Sequence, residues 1–207
     1  MSAPKPILNV EAEPFIPYVA EQDFDARLRP RLEAYKKRMG FLPNALRLYA
    51  HRPEIAEALW DLNDRVMRDP SSTLDRFLKR RLGAVASKVN GCTYCTTHHC
   101  TILKEGANSL SEGWGLDDGE VRQLLTGDFE PKDELEAVCF EYVRASSADP
   151  TAVPQELLDR LNKHLTPPQI VELACLIGFW KLYNTVHDCL KVPVEADLLS
   201  QTGYVRL

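Results

Sequence analysis

From Asp23 onward the apolar residues of this chain recur three and four apart, and nowhere do they alternate with polar ones over the length of a strand. Asp23 is placed to cap a helix that runs to about Met39 and ends at Gly40. FLPNALRLYAH then reads as a short turn leading to Pro53. Proline suits a first helical position, so EIAEALWDLNDRVMRD should be helical up to Asp69-Pro70, with apolar residues at 55, 59, 62 and 66. Ser71 or Ser72 is expected to cap a helix from about Thr73 to Val89, with Leu74, Phe77, Leu78, Leu82, Val85 and Val89 as its core stripe. A second face of that helix carries Gly83, Ala84 and Ser87, small enough for another helix to come close.

Asn90-Gly91 breaks the pattern. A new helix starts near Cys92 and runs to about Glu105, where Gly106 ends it. Further helices are expected from Asp117 or Asp118 through Leu125, over 132–147, and from Pro154 to about His164. Thr166-Pro167-Pro168-Gln169 is a capping-box pattern with proline at the first helical position. The helix after it, IVELACLIGFWKLYNTVHDCL, is apolar nearly all round at first and should be a central core helix. The fold class is all-α, with about eight or nine helices in one domain over 21–207. Residues 1–20 hold four prolines and read as an extended arm on the surface or on a partner subunit.

Composition narrows the function classes. The chain has 207 residues and a net charge of −5, so no basic excess argues for nucleic acid or an anionic membrane surface. RLRPRLEAYKKR and RFLKRR read as solvated helix faces. No apolar run is long enough to span a bilayer, and the proline- and acid-containing N-terminus does not read as a signal peptide. A cytoplasmic protein is expected, whose six cysteines (92, 95, 100, 139, 175, 189) are not a disulfide framework. Cys139, Cys175 and Cys189 sit singly in apolar helical patterns and read as buried, inert thiols.

The chemistry concentrates in NGCTYCTTHH, residues 90–99. On a helix, Cys92 and Cys95 are neighbours, as are Cys95 and His99, and His98 is three residues from Cys95. Free N–H groups and the macrodipole at a helix start favour a thiolate, and a nearby histidine can exchange a proton with it. These are the ingredients of a redox dithiol, in which one thiolate attacks an oxidant and the other closes a disulfide. Zinc held by Cys92, Cys95, His99 and Cys100 is the competing arrangement. Structural zinc draws a second ligand pair from a distant segment, and no second C-x-x-C or H-x-x-H is present. No metal is therefore expected. A thioredoxin-type site needs a strand before the motif, which is missing here. Two core cysteines beside a satisfied histidine remain the bland alternative.

NGCTYCTTHH between two helices resembles the carboxymuconolactone decarboxylase superfamily, and within it the alkylhydroperoxidase D-like, peroxidase-related branch. The resemblance centres on residues 53–106, with weaker similarity in FLPNALRLYAHRPEI before and HLTPPQIVELACLIGFWKLYNTVHDCLKVPVE after. It implies that Cys95 attacks a hydroperoxide, Cys92 resolves, and His99 relays the proton, with His98 and Tyr94 as auxiliary positions. The helix-dipole argument instead favours the more N-terminal Cys92 as nucleophile.

The family's relay starts with a glutamate twelve residues before the first cysteine, and here that position is Arg80. Arginine cannot take a proton. Arg80 is left as a charge that assists a thiolate, as a solvated surface residue, or as the mark of a weak or lost peroxidase. Glu54, Glu105 or Glu172 could supply a substitute carboxylate. The resemblance further implies a homo-oligomer, a trimer or hexamer. The expected partners are a small hydroperoxide and an unidentified thiol reductant. No cofactor is expected beyond the Cys92–Cys95 disulfide, since no flavin, haem or nucleotide motif appears. A general thiol–disulfide oxidoreductase acting on a protein, and a helical scaffold or zinc-binding protein, are the alternatives.

Overall fold

The computed structural model describes residues 13–104, 114–196 and 198, and all structural statements concern these. They form a 3-10 turn, Glu21–Asp23, and nine helices: α1 Arg29–Met39, α2 Asn44–Tyr49, α3 Pro53–Arg68, α4 Arg76–Val89, α5 Thr93–Leu103, α6 Asp118–Thr126, α7 Glu134–Ala148, α8 Gln155–His164 and α9 Pro167–Cys189. No strand is present among the described residues, only an isolated bridge between Lys104 and Leu116. The all-α expectation holds. No described helix is long and apolar enough to cross a membrane.

α4 lies at the centre, packed against α5, α7 and α9. Its small face explains the arrangement. A Cβ on Gly83 would lie 2.5 Å from Cε1 of His99 on α5 and 2.7 Å from Nε1 of Trp180 on α9. Four residues on, the Oγ of Ser87 accepts from Nδ2 of Asn184 at 3.1 Å. The close approach foreseen at Gly83 and Ser87 is thus made by helices of the same chain.

Several boundaries differ from expectation. α1 begins at Arg29, with Pro30 in its first turn, rather than at Asp23. FLPNALRLYAH contains α2, whose Ala45, Leu46, Leu48 and Tyr49 are buried; six residues are too few to show a helical period in sequence. α4 is capped by Asp75, whose carboxylate accepts from the Leu78 amide. Ser72 is engaged elsewhere, bonded to the Glu172 carboxylate and to Nζ of Lys79. The capping box expected at Thr166/Gln169 is formed, and α6 starts with a second one at Asp117/Glu120. Glu105 and Gly106, expected to end α5, lie outside the described residues, as do residues 1–12 of the arm. Residues 13–19 carry no helix, and the Val19 amide bonds to the Arg47 carbonyl beside α2.

RFLKRR is not a solvated face. Lys79 is fully buried and donates to Glu172 and to the Val66 carbonyl at 2.9 Å each. Arg81 pairs with the buried Glu136. Arg80 is 6% exposed, which removes the surface-charge reading of that position. Long cationic side chains can be taken inward where a carboxylate or carbonyl meets them, and α7, α9 and the end of α3 provide these.

α9 is also less enclosed than its composition suggests. Leu173, Leu176, Phe179, Trp180, Tyr183, Asn184 and His187 face the core, while Val171, Cys175, Gly178 and Leu182 face outward. Cys139 is buried as expected, but Cys175 and Cys189 are exposed because they fall on that outward stripe.

Candidate functional site: a dithiol facing a histidine from α9

Gly91, at φ +80°, turns the chain out of α4, a conformation that suits glycine. Cys92 follows as the N-cap of α5, and its Sγ accepts from the Cys95 amide at 3.5 Å. Cys95 sits one turn in. Both thiols are buried, and all six cysteines are unpaired.

The imidazole bonded to the dithiol is not from the motif. Nδ1 of His187 on α9 lies 2.9 Å from Sγ of Cys95. Cys92 Sγ, Cys95 Sγ and a ring nitrogen of His187 all lie within 4.8 Å of one another. Burial, then the charge on His98, pushes the His187 pKa down to about 3. Burial and the neighbouring Cys92 push the Cys95 thiol well up, against a weaker pull from the Asn184 side chain. The helix start therefore does not make Cys95 a ready thiolate; desolvation outweighs it. A neutral thiol and a neutral ring share one proton across this contact, whichever of Sγ and Nδ1 carries it. The other ring nitrogen, Nε2, is buried without a hydrogen-bond partner.

His99 is buried and stacks edge-on against Trp180, with ring centroids 4.1 Å apart. Neither of its nitrogens meets a partner of ordinary geometry. Burial, then the Arg80 and His98 charges, holds it neutral. Arg80 and His99 share the wall of the cavity described next.

His98 and Tyr94 belong to a buried polar network. Glu195, in the segment after α9, accepts from Nε2 of His98 at 2.8 Å, from the Tyr94 hydroxyl at 3.0 Å and from the Asn44 amide at 2.6 Å. The Tyr94 hydroxyl in turn accepts from the Ala45 amide at 3.2 Å. Burial raises the Glu195 pKa, but the His98 charge and these hydrogen bonds outweigh it and leave the carboxyl below its ordinary range. The rings connect the network to the thiol, with Tyr94 edge-on to His187 at 4.8 Å.

None of the three substitute carboxylates is seen at the dithiol. Glu54 is exposed and paired with Arg27, and Glu172 is held by Lys79 and Ser72. Glu105 lies outside the described residues. Cys100, weighed as a zinc ligand, is buried on α5 with its thiol pushed up to about 12 by burial.

A cavity of about 110 Å³ opens on Cys95 and His187. Tyr35, Tyr49, Trp60, Tyr94, Trp180 and Tyr183 form much of its wall, and no described carboxylate lines it. A small, flat or apolar molecule can reach Cys95 there with its reacting atom beside a base.

Sequence reasoning missed His187 and Glu195. His187 did carry a signal: Trp180, Asn184 and His187 fall on one face of α9 at helical spacing, two polar residues on an otherwise apolar, core-facing stripe. Glu195, in KVPVEAD after the helix, carried none.

No protein-family pattern matches the chain, and no curated relative matches it. Its fold does match solved structures. A peroxidase-related protein from Ralstonia eutropha JMP134, described as an alkylhydroperoxidase AhpD core, superposes with a TM-score of 0.74 at 16% identity, covering 89% of this chain and 94% of that one. A peroxidase-related protein from Silicibacter sp. TM1040 gives 0.74 at 18% identity over 95% and 97%. The debrominase Bmp8 gives 0.74 at 20% identity over 91% and 96%, and a variant of it has been solved with 2,3,4-tribromopyrrole. A buried Cys-x-x-Cys at the start of a helix, in nine described helices, thus stands on the fold of the AhpD-like, peroxidase-related structures.

Proposed function

We propose that this chain is a thiol-dependent peroxidase that reduces small hydroperoxides through a Cys92–Cys95 dithiol–disulfide cycle. The observation that carries it is the 2.9 Å approach of His187 Nδ1 to Cys95 Sγ at a cavity, with Cys92 in reach behind. The Cys95 sulfur attacks the terminal peroxide oxygen while its proton passes to Nδ1 of His187. The O–O bond breaks, the alkoxide takes a proton from the imidazolium, and a sulfenic acid is left on Cys95. The Cys92 thiol displaces water from it and closes the disulfide. A thiol reductant restores the pair by exchange.

His187 takes the base role that the family resemblance gives to His99. Arg80 and His99 form the cavity wall, and the His98–Glu195–Tyr94 network fixes the start of α5. Both sulfurs are buried, which favours a small oxidant over the disulfide of a folded protein. A homo-oligomer fits the apolar residues exposed on α3 and α9, Ile55, Leu62, Val171 and Leu182. A reducing compartment such as the cytoplasm fits six unpaired cysteines.

Reductive debromination of a small aromatic ring is a second activity that fits, on the aromatic cavity wall and the debrominase among the structural neighbours. In it Cys95 would take the bromine from carbon as the ring gains a proton, and Cys92 would then release bromide and close the disulfide. Consumption of cumene hydroperoxide and of a bromopyrrole, each followed in wild type and Cys95→Ser, tests both. Peroxide loss that is equal in the two proteins would sink the peroxidase.

A further inference from the structure

We propose that the reduced site binds one zinc ion through Sγ of Cys92, Sγ of Cys95 and Nδ1 of His187, leaving the fourth position open to the aromatic cavity. Three such atoms within 4.8 Å of one another are the geometric basis. Tetrahedral zinc, with Zn–S of about 2.3 Å and Zn–N of about 2.0–2.1 Å, separates its ligands by roughly 3.5–3.8 Å. The 2.9 Å Sγ···Nδ1 contact would open by under about 1 Å and the longest separation would close by about as much, within reach of thiol rotation.

The ligands come from two elements, the start of α5 and the last turns of α9. A C-x-x-C on one helix cannot close a tetrahedron, and α9 delivers the ligand that the motif lacks. The set weighed and set aside on sequence, with His99 and Cys100, differs from this one, which has His187.

Charge selects the ion. Two thiolates and a neutral imidazole carry −2, which Zn²⁺ cancels where both sulfurs are buried, with the Asp188 carboxyl bonded to the Cys92 side chain beside them. A monovalent copper ion would leave one buried negative charge. Magnesium and calcium require oxygen ligands, and this set is two sulfurs and a nitrogen. An open fourth position admits water or a ligand from the cavity.

If the peroxidase cycle is as proposed above, zinc and the disulfide exclude each other at the same two sulfurs. One hydroperoxide and two protons then turn the bound dithiolate into disulfide, alcohol and water and release Zn²⁺. The binding itself does not depend on that activity.

The experiment is zinc titration of the reduced, chelator-treated full chain against a chromophoric competitor, with Co²⁺ as a spectroscopic probe and no peroxide present. One equivalent per chain is expected, with thiolate-to-cobalt charge transfer and tetrahedral d–d bands. Cys92→Ser, Cys95→Ser and His187→Gln should each weaken binding by at least about 100-fold, while His99→Gln leaves it unchanged. Oxidising the wild type to the disulfide should abolish binding and reduction restore it, a comparison that needs no variant to fold. No zinc in the reduced wild type, equal binding in the disulfide form, or unweakened binding in His187→Gln overturns the site. Failure of peroxide turnover alone leaves it standing and overturns the peroxidase instead.

Discussion

Nδ1 of His187 lies 2.9 Å from Sγ of Cys95, although the two residues stand 92 apart in the chain. α5 and α9 both pack against α4 at Gly83, through His99 and Trp180, and it is the His187 ring that meets the thiol. His187→Gln keeps bulk at the site but loses the base. It should lower kcat/KM for a small hydroperoxide by about 10²–10⁴-fold, with both thiols still titrating in the unfolded protein. His99→Gln, whose ring makes no bond to sulfur, should lower it by less than about tenfold. The opposite ranking in a stopped-flow assay would return the relay to His99.

The same pair predicts an unusual pH profile. Protonation of His187 removes the lone pair that accepts the Cys95 proton, so activity falls as pH drops through the His187 pKa. A histidine of ordinary affinity would place that limb near about pH 6.5. With the ring held down to about 3 by burial and the His98 charge, no limb belongs there. Between about pH 5.5 and 7.5, kcat/KM should stay within about twofold, measured with circular dichroism to follow the fold. A tenfold drop across that window with the fold intact would falsify the buried, neutral base.

How much of this was legible in sequence follows from range. The helix start at Asp117 or Asp118, the capping box at Thr166, Pro53 at the start of α3 and the Asn90-Gly91 break all act within four residues, and all are where the pattern put them. The Cys92–Cys95 pair is local in the same sense. What lay hidden depends on tertiary pairing: Lys79 looks solvated until Glu172 arrives from 93 residues away, and Glu195 reaches His98 across 97. His187 was masked by its surroundings, since a histidine in an apolar helix reads as core until α5 is laid against it.

Gly83 is the position where packing and site meet. Its missing Cβ makes room for His99 at 2.5 Å and Trp180 at 2.7 Å, both parts of rigid rings already in contact with each other. Gly83→Ala gains helix propensity of up to about 1 kcal/mol, yet must push one ring out of place. Overpacking costs about 1–3 kcal/mol, so the net effect should be destabilising and accompanied by altered tryptophan fluorescence. Chemical denaturation showing Gly83→Ala more stable than wild type would mean that α5 and α9 yield freely.

Glu195 ties the segment after α9 to α2 and α5 through Asn44, Tyr94 and His98. Glu195→Gln keeps an acceptor for the Tyr94 hydroxyl but removes the charge that faces His98. A buried hydrogen bond to a charged group contributes about 1.5–3 kcal/mol, so a loss of that order is expected near about pH 7. The folded carboxyl has its pKa below the ordinary value. Its stabilisation is therefore fully present above the unfolded-state pKa and disappears as pH falls through the folded one. The gap between wild type and Glu195→Gln should be constant from neutral pH down to about 5 and then narrow towards acid. Urea midpoints for both proteins across that range test it. A gap that is unchanged at about pH 3 would show that Glu195 acts there by shape and not by charge.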